Sequence, residues 1–182
     1  RGTVADLRRH RDAAVLLLAF LVYNDAVNTI IRMATTFGDE IGIPTPHLVA
    51  AILLVQFVGV PAAFAFGFLS DRIGAKRSIF LGLAVYGGIT IFAFNLRTTT
   101  HFYVMALLVA SVMGGTQALS RSLFATMIPK HKAGELFGFF GVFDRFGGAI
   151  GTLAFGIVLQ ATGSSRPAIL TLLVFFAFGS LL

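Results

Sequence analysis

The sequence predicts an all-α membrane protein of six spanning helices, and three observations carry that expectation. Only 12% of the 182 residues are charged while 57% are hydrophobic, with a mean hydropathy of +0.88. A water-facing domain usually carries about 25% charged residues. Six apolar segments approach the roughly 20 residues needed to cross a bilayer. The cations between them gather on alternate loops, as the positive-inside bias of multi-span proteins requires.

The first span is expected over residues 13–36, behind a polar, basic stretch from Arg1 to Arg11 that lacks the build of a signal peptide. Asp25 stands near its middle, and Asn28, Thr29 and Arg32 follow at i+3, i+4 and i+7 on the same helical face. An acid at that depth costs roughly 2.5–3.5 kcal/mol, so it persists where it faces a bundle interior or a wet cavity. Two readings stand. Either the stripe lines a solute pathway, or Asp25 pairs with Arg32 or Arg145 and joins helices.

The second span, 47–69, contains Pro61, with Gln56 a turn and a half before it. Proline removes a backbone bond, so this point is either a hinge or a fixed bend. The third covers 78–95. The fourth, 102–127, sets Gln117, Ser120, Arg121 and Phe124 on one face. Arg121 lies near the cytoplasmic end, where it either snorkels to the headgroups or gates the pathway. Gln117 is deeper and offers both donor and acceptor to a zwitterionic solute.

The fifth span, 136–160, carries Asp144 and Arg145 among Gly138, Gly141, Gly147, Gly148 and Gly151. The glycines let another helix approach closely. Neighbouring residues point about 100° apart, so one charge is expected to face the cavity and the other an adjoining helix. Arg145 has the planar fork that suits a carboxylate; the rival reading is a charge pair that locks the helix in place. The sixth span, 167–182, is short, and both ends of the chain read as cut.

Nine cations (Arg1, Arg8, Arg9, Arg11, Arg72, Lys76, Arg77, Lys130 and Lys132) fall on one side, against Arg97 and Arg166 on the other. That bias predicts both termini in the cytoplasm. It also accounts for the net charge of +6 without nucleic acid, since no basic patch is interleaved with stacking aromatics. Zero cysteines exclude disulfides and thiolate chemistry. His10, His47, His101 and His131 fall at span ends or in loops, and no acids or histidines share ligand spacing inside a span, so no metal site is expected. Without a nucleotide-binding loop no cofactor is implied, and transport would be secondary. An intramembrane enzyme and a non-transporting structural subunit are the rival classes.

Gly67, Asp71, Arg72, Gly74 and Lys76, followed by Arg77, sit between the second and third spans. They resemble the signature loop of the major facilitator superfamily, Gly-x-x-x-Asp-Arg-x-Gly-Arg-Arg/Lys, with Ala75 in place of its first basic residue after the second glycine. Further stretches are similar to one branch, the autophagy-related vacuolar amino-acid effluxers and their bacterial relatives. These are Phe20-Leu-Val-Tyr-Asn-Asp25, Met33-Ala-Thr-Thr-Phe-Gly38, Gly114-Gly-Thr-Gln-Ala-Leu-Ser-Arg-Ser-Leu-Phe124 with Ile128-Pro129, and Glu135-Leu-Phe-Gly-Phe-Phe140. The resemblance implies one six-helix repeat, the carboxy-terminal half of a twelve-helix carrier, packed against a missing amino-terminal half in a lipid bilayer. It implies secondary transport of a small solute such as an amino acid, with a proton or other coupling ion. In the signature loop it implies a conformational latch, weakened here by Ala75. Asp25, Asn28, Arg32, Gln117, Asp144 and Arg145 are the candidates for substrate and coupling groups. The plasma membrane, the inner membrane of a bacterium, is favoured over a vacuolar one.

Overall fold

Seven helices account for nearly all of the computed structural model, which describes residues 11–129 and 133–181. They are α1 (Arg11–Glu40), α2 (Thr45–Ile73), α3 (Ala75–Phe94), α4 (Thr99–Met127), α5 (Ala133–Phe146), α6 (Ala149–Thr162) and α7 (Ser165–Leu181). Arg1, Arg8, Arg9, His10, Lys130, His131 and Lys132 lie outside the described residues. The first four helices are each long and apolar enough to cross a membrane. Proline at the start of α2, Gly74 (φ +90°) between α2 and α3, and the Thr98 hydroxyl accepting the His101 amide at 3.2 Å set the boundaries of these spans.

The fifth expected span is corrected. Residues 136–160 do not form one helix but contribute to two of 14 residues, α5 and α6, parted at Gly147–Gly148. At 1.5 Å per residue each half is about 21 Å long, too short to span alone. Gly148 takes φ +87°, a left-handed conformation that would strain any residue with a Cβ.

Side-chain pairings fix the relative directions of α1, α2, α4, α5–α6 and α7. Phe20, Asn24 and Asp25 of α1 meet Phe140, Asp144 and Gly151 in turn, so α1 runs parallel to the α5–α6 pair. Tyr23 and Asn24 meet Ser120 and Gln117, so α4 runs the other way. Against α2, α4 is parallel: His47 bonds Tyr103, and Phe66 packs where a Gly115 side chain would stand. Gly179 lies against Tyr23, placing α7 antiparallel to α1. The chain therefore crosses back and forth, with α5 and α6 sharing one crossing.

Phe20, Tyr23, Tyr86, Phe124 and Phe155 fill the interior, and Tyr86 stacks on Phe176 at 5.4 Å. The outer surface is equally apolar. On α2, Phe57, Phe64 and Phe68 are 78%, 69% and 70% exposed. A water-soluble monomer does not leave such a stripe bare. α2 remains one helix through Pro61, whose missing amide removes one rung.

Candidate functional site

The buried acid of α1 meets the break in the fifth crossing. Asp25 is 2% exposed, and its Oδ1 accepts the amides of Gly148 at 2.6 Å and Ile150 at 3.2 Å. Its Oδ2 accepts the amide of Gly151. These are first-turn amides of α6, which have no partner within their own helix. The carboxylate thus caps α6 from outside, and its charge meets the positive end of that helix dipole. Three bonds to a charged acceptor, at about 1.5–3 kcal/mol each, offset the cost of burying the acid.

Glycine is required where α1 touches this turn. A Cβ on Gly148 would lie 2.9 Å from the Asn28 Cβ, and one on Gly151 would lie 2.6 Å from the Asp25 Oδ2. The carboxylate reaches the backbone because no side chain stands between them.

Arg32 completes the arrangement from the other direction. Its guanidinium donates to the carbonyl of Gly147 at 3.2 Å, at the carbonyl-rich end of α5. Neither reading of Asp25 holds as drawn: it pairs with neither Arg32 nor Arg145, and at 2% exposure it faces the bundle interior rather than an open pathway. The acid that does pair with an arginine is Asp144, with Arg121. Asp25 and Arg32 each bind backbone instead, because two half-helix termini lie between them.

A polar chain leads from the break toward α4. The Gln117 side-chain amide donates to Asn24 Oδ1 at 3.2 Å, and the Asn24 side-chain amide donates to Asp144 Oδ1 at 3.1 Å. Arg121 donates to Asp144 Oδ2 at 2.8 Å; the two side chains are 48% and 28% exposed. Asn28 donates to the backbone carbonyl of Asn24 at 2.9 Å, and the Thr29 hydroxyl to the backbone carbonyl of Asp25 at 2.7 Å. Beneath the chain, the Ser120 hydroxyl gives its proton to the Thr116 carbonyl, so Tyr23 must donate to Ser120.

Of the six candidates, Asp25, Asn28, Arg32, Gln117 and Asp144 come together in this belt. Arg145 does not: it is exposed, round the helix from Asp144. Asn24 and Arg121 are the additions. Arg121 holds Asp144. Asn24, next to Asp25 in sequence, faces α4 and α5 and joins their polar groups; its i−4 relation to Asn28 was the available signal. Beside Asn28, a cavity of about 320 Å³ opens between α1, α2 and α4, walled by Ile31, Ile52, Val55, Phe102 and Met105, with Thr35 and Gln56 as its other polar groups.

The signature loop lies elsewhere. Gly67 is within α2, Asp71 and Arg72 end that helix, Gly74 makes the turn, and Lys76 and Arg77 begin α3. All four charges are exposed, and Arg72 sits at the negative end of its helix. Asp71 does not cap a helix N-terminus; it stands in the last turn of α2.

Comparison with known proteins agrees with the architecture. A family model described as "Vacuole effluxer Atg22 like" matches residues 2–182. A Bacillus subtilis protein named as an uncharacterized MFS-type transporter, YxiO, is 36% identical over 177 residues, which is 97% of this chain and 41% of that protein. Autophagy-related protein 22 of Yarrowia lipolytica is 27% identical over 186 residues, covering 94% of this chain and 31% of the relative. Its Candida glabrata counterpart is 25% identical over 180 residues, covering 92% and 33%. The chain thus spans about a third to two-fifths of the length of these relatives. From residue 2 to its last position, the chain belongs to the Atg22-like vacuole effluxer family.

Proposed function

We propose that this chain is the carboxy-terminal six-span half of a secondary active carrier that moves a small solute, an amino acid, across the membrane by alternating access. The observation that carries this reading is the polar belt of Asn24, Gln117, Arg121 and Asp144, half-open on an otherwise apolar molecule. An amino acid carries one positive and one negative group, and the belt offers Asp144 to the first and Arg121 to the second. The adjoining cavity of about 320 Å³ would take its side chain. A missing amino-terminal repeat closes the site from the other side, and the cation-rich loops lie in the cytoplasm. A structural subunit would have no use for a charge pair left half-open.

Asp25 is the coupling group in this reading. Its carboxylate is the acid on which α1 and the start of α6 converge. The experiment is counterflow in proteoliposomes holding the intact carrier, with and without a pH gradient. Exchange of amino acids, accelerated by the gradient, is expected. Exchange of sugars or organic acids but of no amino acid would refute the substrate class. The 182-residue chain alone is expected not to transport.

A further inference from the structure

At the end of the bundle that carries the signature loop, α1, α3, α4 and α7 enclose a cavity of about 440 Å³. Its lining is graded. Arg11, Asp12 and Lys76 stand at the mouth, Leu16, Ile79 and Leu123 line the walls, and Tyr23 and Gly179 close the deep end. The Tyr23 hydroxyl is already committed to Ser120, so the depth offers a ligand only hydrocarbon. A second groove, about 420 Å³, runs between α3 and α7 beside Gly87 and Ala177. Phe80 and Leu83 line both and form the wall between them. Lys76 Nζ stands 6.0 Å from the Phe80 ring, at the head of that wall.

We propose that this end of the bundle binds one anionic two-chain phospholipid, its phosphate held by Arg11 and Lys76 and one acyl chain lying on each side of the Phe80–Leu83 wall. Length agrees with an acyl chain. From Arg11 to Tyr23, α1 advances about 18 Å at 1.5 Å per residue, close to one leaflet's half of a roughly 30 Å hydrocarbon core. Charge agrees with an anion. Two cations face the single acid Asp12, and Arg72 and Arg77 stand exposed in the adjoining turn. A polar solute would find no partner below the mouth. The cytoplasmic leaflet, where the positive-inside bias puts this end, is the anionic one.

The test is native mass spectrometry of the intact carrier, stripped of lipid and titrated with phosphatidylglycerol, phosphatidylcholine and lyso-phosphatidylglycerol of matched chains. Phosphatidylglycerol should be retained at the lowest concentration. Each juxtamembrane cation is worth about fivefold in binding, so Arg11→Gln and Lys76→Gln should each weaken phosphatidylglycerol by about that factor and leave phosphatidylcholine unchanged. Asp12→Asn should tighten phosphatidylglycerol by a similar factor, and Phe80→Ala should weaken both diacyl lipids. Thermal melting checks that the variants fold; the three charged positions are exposed. Equal retention of the two diacyl lipids, or no change in the cation variants, would overturn the proposal. Equal retention of the lyso form would overturn the two-chain seating.

Discussion

Asp25 and Arg32 grip the same peptide group from opposite ends: the amide of Gly148 donates to the carboxylate, and the carbonyl of Gly147 accepts from the guanidinium. In a trans peptide these two groups point in opposite directions. The acid and the base, seven residues apart on α1, are therefore kept from each other by the backbone they hold. The plane of that peptide decides how α5 and α6 meet.

Replacing Asp25 with Asn leaves one acceptor oxygen and turns an NH2 toward the α6 amides. One or two charge-assisted bonds are lost, at about 1.5–3 kcal/mol each. The melting temperature of the intact carrier in detergent should fall clearly. If Asp25 also couples transport, Asp25→Asn protein that still folds should exchange substrate yet fail to accumulate it against a pH gradient. Retained, pH-dependent accumulation would reduce Asp25 to a cap alone.

The two glycine classes of the fifth crossing should separate cleanly. Gly148→Ala places a Cβ at φ +87° and 2.9 Å from Asn28, and should cost at least about 1–2 kcal/mol in strain. Gly138→Ala meets nothing within 4 Å in the helix α5 and should be neutral or stabilising, by up to about 1 kcal/mol. Equal melting temperatures for the two variants would contradict the break at Gly147–Gly148.

For Arg121 and Asp144, stability and transport should part company. Their exposure of 48% and 28% limits the stability of the pair to about 1 kcal/mol or less. Arg121→Gln should therefore barely move the melting temperature while raising KM at least tenfold. The swap Arg121→Asp with Asp144→Arg should restore the ion pair but not transport, because the charges then meet the wrong ends of a zwitterion. Recovery of transport in the swap would make the pair structural.

Single cysteines in this cysteine-free chain report its orientation. Thr98→Cys in intact cells should react with an impermeant maleimide from outside, and Arg77→Cys only after permeabilisation. The reverse pattern would invert the topology and move the graded cavity to the outer leaflet.

The first four spans were legible because burial in lipid leaves a strong compositional mark: long apolar runs, with cations held to the loops. The polar face of α1 was legible too, since Asp25, Asn28, Thr29 and Arg32 recur at helical spacing. The break at Gly147–Gly148 was not. Two glycines in an apolar helix look the same whether they admit a neighbouring helix or end a helical half, and here α1 supplies the decisive partner from more than a hundred residues away. The same holds for Arg121. Its partner Asp144 lies on another helix, so its position near a span end left the headgroups and a gating role equally open. Asn24 was overshadowed by its charged neighbour, although the 100° step between them is what lets the two serve different helices.

Glu40, at the far end of α1, takes the amide of Ser165 at 3.0 Å where α7 begins, much as Asp25 takes the first amides of α6. One helix therefore carries two fixed marks, fifteen residues and about 22 Å apart, each engaged with the start of a different element. A rod pinned at two points can pivot with what it is pinned to, but it cannot slide. Any shift of α1 along its own axis would break both attachments at once. An axial shift of α1 would therefore have to carry α6 and α7 with it, and α4 as well through Ser120 and Gln117.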